Sequence, residues 1–219
     1  MLKKRIVVPI LLLIILLLIG CTYFFSKVGF QDTNPKKIND DTINSPVMGN
    51  TKASNTIIEF MDYKCPYCKK FHESHFQKIK NKYINNGKSN YKVVNASILG
   101  EDSIVASRAA HSLYLYYPKE YWKFHNRLLK LQPNNENKWI TTKLLDRELS
   151  KLNIPPKVLN KIKKDYKSKN SKSWKLANND KKLYDKYKNN YVPSIYVNGK
   201  FIDNPYDSSE IEKAMKNNY

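Results

Sequence analysis

The stretch MDYKCPYCKKF, residues 61–71, sets Cys65 and Cys68 apart by only Pro66 and Tyr67. A C-x-x-C pair can chelate a metal, form a structural disulfide or exchange electrons with other thiols, so its surroundings decide. Just upstream, TIIEFMD (56–62) is a β-rich run of strand length with Glu59 in its middle. Downstream, KCPYCKKFHESHFQKIKNKYINNG (64–87) reads as a turn entering a helix that stops before Gly87. A second strand begins at Tyr91 in YKVVNASIL. The unit is β-α-β with a helical crossover, which makes the two strands parallel neighbours.

From Glu101 to about Lys188 the strand signal is absent. Five helical segments follow one another: SIVASRAAHSLYLYY, KEYWKFHNRLLKLQ, TTKLLDRELSKLN, PPKVLNKIKKDYK and WKLANNDKKLYDKYK. Pro118, Pro133, Pro155 and Pro156 punctuate them as first-turn prolines or stops. VPSIYVNGKFID then gives two short β runs around Asn198-Gly199, a strong hairpin signal. SSEIEKAMKNN closes the chain as a helix, with Ser208 as its expected cap. The fold class is α/β, a thioredoxin-like layout with an inserted all-helical domain. Its first part is expected over 51–100, the insertion over 101–188 and its second part over 189–219.

The N-terminus differs in kind. Lys3, Lys4 and Arg5 precede IVVPILLLIILLLIG, a charged start and an apolar run expected over 1–20 as an export signal. LIGC (18–21) resembles a bacterial lipobox, which would make Cys21 the lipid-bearing residue after cleavage. In the other reading the run stays as a single transmembrane anchor with its basic end inside. Either way the remainder faces outward from a bacterial cell membrane. Residues 22–50 are polar and aperiodic, so 21–50 is expected to be a tether. The formal charge is +20, and without Lys3, Lys4 and Arg5 there remain 36 basic residues against 19 acidic, or +17. Lysine is scattered through every segment rather than clustered, which argues against nucleic-acid binding and for a milder attraction to an anionic envelope.

With Cys21 assigned to the signal, Cys65 and Cys68 have no other cysteine to pair with. A cysteine at the junction of strand and helix faces unpaired N–H groups and the positive end of the helix dipole, which favour thiolate at Cys65. Cys68, one turn on and more buried, suits the partner that resolves a mixed disulfide. Pro66 can open the helix because its missing N–H would lack a partner anyway. CPYCKKFHESH also spaces Cys65, Cys68, His72 and His75 like ligands. In a continuous helix, however, Cys65 and His75 stand roughly 15 Å apart, too far for one zinc. No metal site is assigned. His72 and His75 are expected on the helix surface, with His72 near enough to help hold a thiolate.

MDYKCPYCKKF after TIIEF, the inserted helices and VPSIYVNGKFI together resemble the DsbA family of thiol-disulfide oxidoreductases, from about Val47 to the C-terminus. The resemblance implies that Val192-Pro193 is a cis-proline loop lying against the cysteines, with the Val192 backbone presented to a substrate peptide. It implies that Glu59 is a buried acid that exchanges a proton with Cys68. It also implies an oxidase that donates its Cys65–Cys68 disulfide to reduced or unfolded exported proteins, needs no cofactor and is reoxidised by a quinone-linked membrane partner. One departure concerns Tyr67, where some members carry a thiolate-stabilising His. CPYC is also the glutaredoxin motif, against which the export signal and the insert argue. The alternative from another class is a membrane-tethered chaperone holding a soft metal such as copper on the same pair.

Overall fold

The computed structural model describes residues 13–17, 32–133 and 137–216. Residues 13–17 are helical and belong to a unit, Met1–Gln31, separate from Asp32–Tyr219. Among the described residues no helix is long and apolar enough to cross a membrane. Cys21 and most of the expected signal lie outside the described residues.

In the larger unit, strand β2 (Asn55–Met61) is buried on both faces along its whole length. Its Ile57, Ile58, Phe60 and Met61 give it apolar contacts above and below, the pattern of a central strand. It pairs in parallel with β3 (Ser89–Asn95), register Glu59 to Val93, and antiparallel with β4 (Ser194–Val197), register Glu59 to Ile195. β1 (Val47–Gly49) flanks β3 and β5 (Lys200–Ile202) flanks β4, both antiparallel, so the sheet order is β1-β3-β2-β4-β5. Asn198 and Gly199, with φ of 52° and 79°, make the tight turn between β4 and β5 that the Asn-Gly pair predicts.

The crossover between β2 and β3 is α2, residues 66–84. It is α-helical over Pro66–Phe71 and Gln77–Ile79 and π-helical over His72–Phe76 and Lys80–Ile84. Between β3 and β4 lie α3 (Glu101–Tyr116), α4 (Tyr121–Leu131), α5 (Thr142–Ser150), α6 (Pro156–Lys167) and α7 (Lys172–Lys186). Thr141 and Ser171 cap α5 and α7 by accepting from Leu144 N and Trp174 N. These helices belong to the same unit as the sheet.

Two expectations change. Residues 32–50 are not simply a tether: Pro35–Asp41 form helix α1, capped by Asn34, and 47–49 add β1 to the sheet. Buried Ile38 and three acceptors around Lys92 Nζ (Asn39 O, Asn39 Oδ1 and Thr42 Oγ1) anchor this segment, which its polar composition concealed. The last helix, α8 (Ser208–Lys216), is capped by Asp207, whose Oδ1 accepts from Ser209 N at 2.8 Å; Ser208 is already its first residue.

Candidate active site

Cys65 stands at the N-cap of α2 in an extended conformation (φ −76°, ψ 115°), with Pro66 in the first turn. Its Sγ accepts from Cys68 N at 3.4 Å and, as a thiol, donates to Val192 O at 3.2 Å. The Val192–Pro193 peptide is cis. The structure therefore brings together Cys65, Pro66, Cys68 and Val192 from points far apart in the chain. Tyr67 lies outside this group, 61% exposed, and its carbonyl accepts from Tyr206 Oη at 2.9 Å.

The two thiols, both free, are displaced in opposite directions. A hydrogen bond from the Cys68 side chain, supported by N–H groups of Cys68 and Tyr67, outweighs burial and holds the Cys65 thiol below its ordinary pKa of 9.0. Cys68 is completely buried. That burial, followed by donation to Cys65 and the nearby charges of Cys65 and Glu59, pushes it well above 9.0. Cys65 is thus the easier of the two to ionise and Cys68 the harder.

Glu59 is 0% exposed. Its Oε2 accepts from Tyr91 Oη and lies 3.0 Å from His72 Nε2, and Tyr91 Oη lies 3.2 Å from the same nitrogen. Oε1 has no partner among the described residues. Tyr91 precedes Val93, the register partner of Glu59, by two residues, so both side chains share a sheet face and meet diagonally. Burial, then the Glu59 charge, pushes the Tyr91 phenol far up, so it remains a donor.

The placement of His72 corrects the sequence reading. Expected on the helix surface, it is 6% exposed and faces Glu59, while His75 pairs with Ser74 Oγ at 2.7 Å. The signal was present: His72 follows Cys68 by four residues and precedes Phe76 by four, in the stripe that also holds Phe71 and Ile79. Around the turn before Cys65, Asp62 Oδ1 accepts from Lys64 N at 2.8 Å and Ser103 Oγ at 2.7 Å. Lys64 Nζ pairs with Asp102 Oδ1 at 3.0 Å, and both side chains are buried. These contacts fasten the cysteine turn to α3, and sequence reading gave no sign of them.

The thioredoxin family profile, described as "Thioredoxin", matches residues 41–217. Disulfide bond formation protein D of Bacillus subtilis (strain 168) is 35% identical over 174 residues, 78% of this chain and 75% of the relative. This chain is a DsbA-like disulfide oxidoreductase of the thioredoxin family. Its fold follows the oxidised crystal structure of BdbD from Bacillus subtilis with a TM-score of 0.73 at 32% identity, covering 80% of this chain and 93% of that one. The thiol-disulfide exchange protein alpha-DsbA2 of Wolbachia pipientis shares the fold alone, with a TM-score of 0.68 at 22% identity over 84% of this chain and 93% of that one. Protein thiol-disulfide exchange leading to disulfide formation is thus the chemistry of the chain.

Proposed function

We propose that this protein donates its Cys65–Cys68 disulfide to reduced exported proteins on the outer side of a bacterial cell membrane. The observation that carries the reading is the placement of the two thiols, Cys65 at the N-cap of α2 against Val192 O and Cys68 fully buried one turn on, since it assigns one role to each sulfur. A substrate thiolate attacks Cys65 Sγ, the Cys65–Cys68 bond breaks, and Cys68 leaves and takes a proton from Glu59. A second substrate thiol then attacks the mixed disulfide. Cys65 leaves as a thiolate, the substrate holds the new disulfide, and two electrons rest on the cysteine pair. Stabilising the Cys65 thiolate favours the reduced enzyme and so makes its disulfide the stronger oxidant. Val192, whose carbonyl already meets Cys65, offers the backbone edge along which an extended substrate segment can lie. Pro193 fixes the loop that presents it.

The outward-facing compartment supports oxidation over reduction, because an exported dithiol is not held reduced by a cytosolic thiol pool. A quinone-linked membrane protein is the partner proposed to remove the electrons. Cys21 is the proposed lipidation site: Cys21→Ser releases the protein from membranes if a lipid holds it and leaves it there if a transmembrane anchor does.

The deciding experiment mixes the oxidised full chain with a reduced protein that needs disulfides to fold. Stoichiometric recovery of substrate activity, with matching appearance of thiols on the chain, is expected. Cys65→Ser abolishes transfer, whereas Cys68→Ser traps a mixed disulfide when offered an oxidised substrate. An oxidised chain that leaves the substrate reduced overturns the proposal.

A further inference from the structure

The loop between β5 and α8 reaches the cysteine turn. Asn204 folds it, with Oδ1 accepting from Tyr206 N at 3.0 Å and the carbonyl accepting from Asp207 N at 2.9 Å. Glu210 ties it to the first turn of α8, its two carboxylate oxygens accepting from Asp203 N at 2.9 Å and Asn204 N at 3.0 Å. Held this way, the Tyr206 ring packs on α2. It meets Phe71 edge-on with centroids 6.3 Å apart and His75 edge-on at 5.2 Å, and Lys70 Nζ stands 5.5 Å from its centre. Its hydroxyl donates to the carbonyl of Tyr67 at 2.9 Å.

That carbonyl and the N–H of Cys68 belong to one planar trans peptide unit and point in opposite directions. The N–H end donates to Cys65 Sγ at 3.4 Å. One rigid unit is therefore held at its oxygen by Tyr206 and directed at the sulfur by its nitrogen. A hydrogen bond weakens steeply as the donor turns off axis, so the grip on the oxygen keeps the bond at the sulfur aligned. Donation to the oxygen also polarises the unit, and bonds linked in this way strengthen one another by about 10–30% each.

We propose that Tyr206 is a positioning residue for thiol-disulfide exchange: its hydroxyl fixes the Tyr67–Cys68 peptide so that Cys68 N–H stays directed at Cys65 Sγ, and so sets how strongly the Cys65–Cys68 disulfide oxidises. The proposal rests on the reading of Cys65 as the sulfur that leaves as a thiolate. In a full turnover a substrate dithiol becomes a disulfide and the Cys65–Cys68 bond opens. Two electrons pass to the pair. Of the two protons the substrate gives up, one is balanced on Cys68 and the other goes to solvent, while Cys65 keeps the negative charge. An N–H bonds an anionic sulfur more strongly than a neutral one, so the hydroxyl favours the reduced pair over the disulfide. The other groups that act on Cys65 do so without Tyr206: the Cys68 thiol and Asp62 directly, with Tyr184 of α7 nearby as a phenol. Lys70 and His75 of α2 meet the Tyr206 ring.

Tyr206→Phe removes the O–H and keeps the ring against Phe71, His75 and Lys70. The test equilibrates the full chain and this variant with mixtures of reduced and oxidised glutathione, and follows thiolate absorbance against pH with alkylation mapped to each cysteine. The equilibrium constant for reducing the disulfide is expected to fall by about two- to tenfold, the span of one net hydrogen bond, and the Cys65 midpoint to rise. Urea unfolding should show the loss in the reduced chain and spare the oxidised one, whereas a merely structural hydroxyl would weaken both alike. A native constant with a native midpoint in Tyr206→Phe, or equal destabilisation of the two redox forms, overturns the proposal and leaves the roles of the sulfurs intact. Ionisation of Cys68 before Cys65 in the native chain overturns both.

Discussion

Cys68 is expected to act on Cys65 before any disulfide is made or broken, and removing its hydrogen bond measures by how much. Donation from the Cys68 side chain is the largest influence on the Cys65 thiol, ahead of burial and of the N–H groups of Cys68 and Tyr67. A hydrogen bond to a charged group contributes about 1.5–3 kcal/mol. Cys68→Ala should therefore raise the Cys65 midpoint, while Cys68→Ser keeps an O–H donor and should retain most of the depression. The sign for stability follows: the folded pKa is lowered, so the stability that the thiolate gives the reduced protein is fully present above 9.0 and is lost as pH falls through the lowered value. Cys68→Ala narrows that window from below. Thiolate ultraviolet absorbance against pH, paired with alkylation rates, reads the midpoint in each variant. Coincident curves for Cys68→Ala and Cys68→Ser would refute the reasoning and transfer the effect to the backbone N–H groups.

Three further outcomes probe the scaffold. Lys64→Met strands the buried Asp102 carboxylate and should cost about 3–5 kcal/mol in urea unfolding, with Asp102→Asn added to it recovering part of the loss. Glu148 is buried among Arg127, Arg147 and Lys151; burial pushes its carboxyl up, but those partners hold it down to about 2 against an ordinary 4.5. Its folded pKa being lowered, its contribution is full above 4.5 and is lost as pH falls toward 2. Glu148→Gln should therefore remove about 1–2 kcal/mol at neutral pH after allowing for the exposed cationic heads, flatten the acid limb of a stability-pH curve and lose its effect at high salt if screening governs it. Gly199→Ala places a methyl against Thr33 O and Pro35 at a φ of +79°, so it should loosen residues 32–41, read as faster amide hydrogen exchange in α1.

Much of this architecture was legible because the strands and the turn residues carry strong local signals. The apolar residues on both sides of Glu59 favoured a doubly buried strand over an edge strand for TIIEFM, and Asn198-Gly199 is a strong hairpin signal. What escaped was whatever depends on register between distant segments. Tyr91 meets Glu59 because of a parallel pairing that neither segment encodes alone. Lys64 and Asp102 each look like ordinary surface charges until the chain folds them together. His72 is a different failure. Its spacing from Cys68 and Phe76 marked it as inward-facing, but a histidine's polarity and the comparison with a zinc ligand set drew the reading outward.

The missing histidine at position 67 gains a physical answer from the same geometry. A positive side chain between the cysteines is one way to hold a thiolate; Tyr67 has none, and its ring is turned to solvent. Its N–H nonetheless contributes to holding Cys65, alongside the Cys68 side chain and the Cys68 N–H. The turn of helix that begins at Pro66 thus does two things with one backbone conformation. It directs unsatisfied N–H groups at Cys65, where they lower the thiol pKa, and it buries Cys68, whose thiol burial and then the charges of Cys65 and Glu59 push up. Because both asymmetries come from the same turn, the division of labour between the sulfurs does not depend on which side chain occupies position 67.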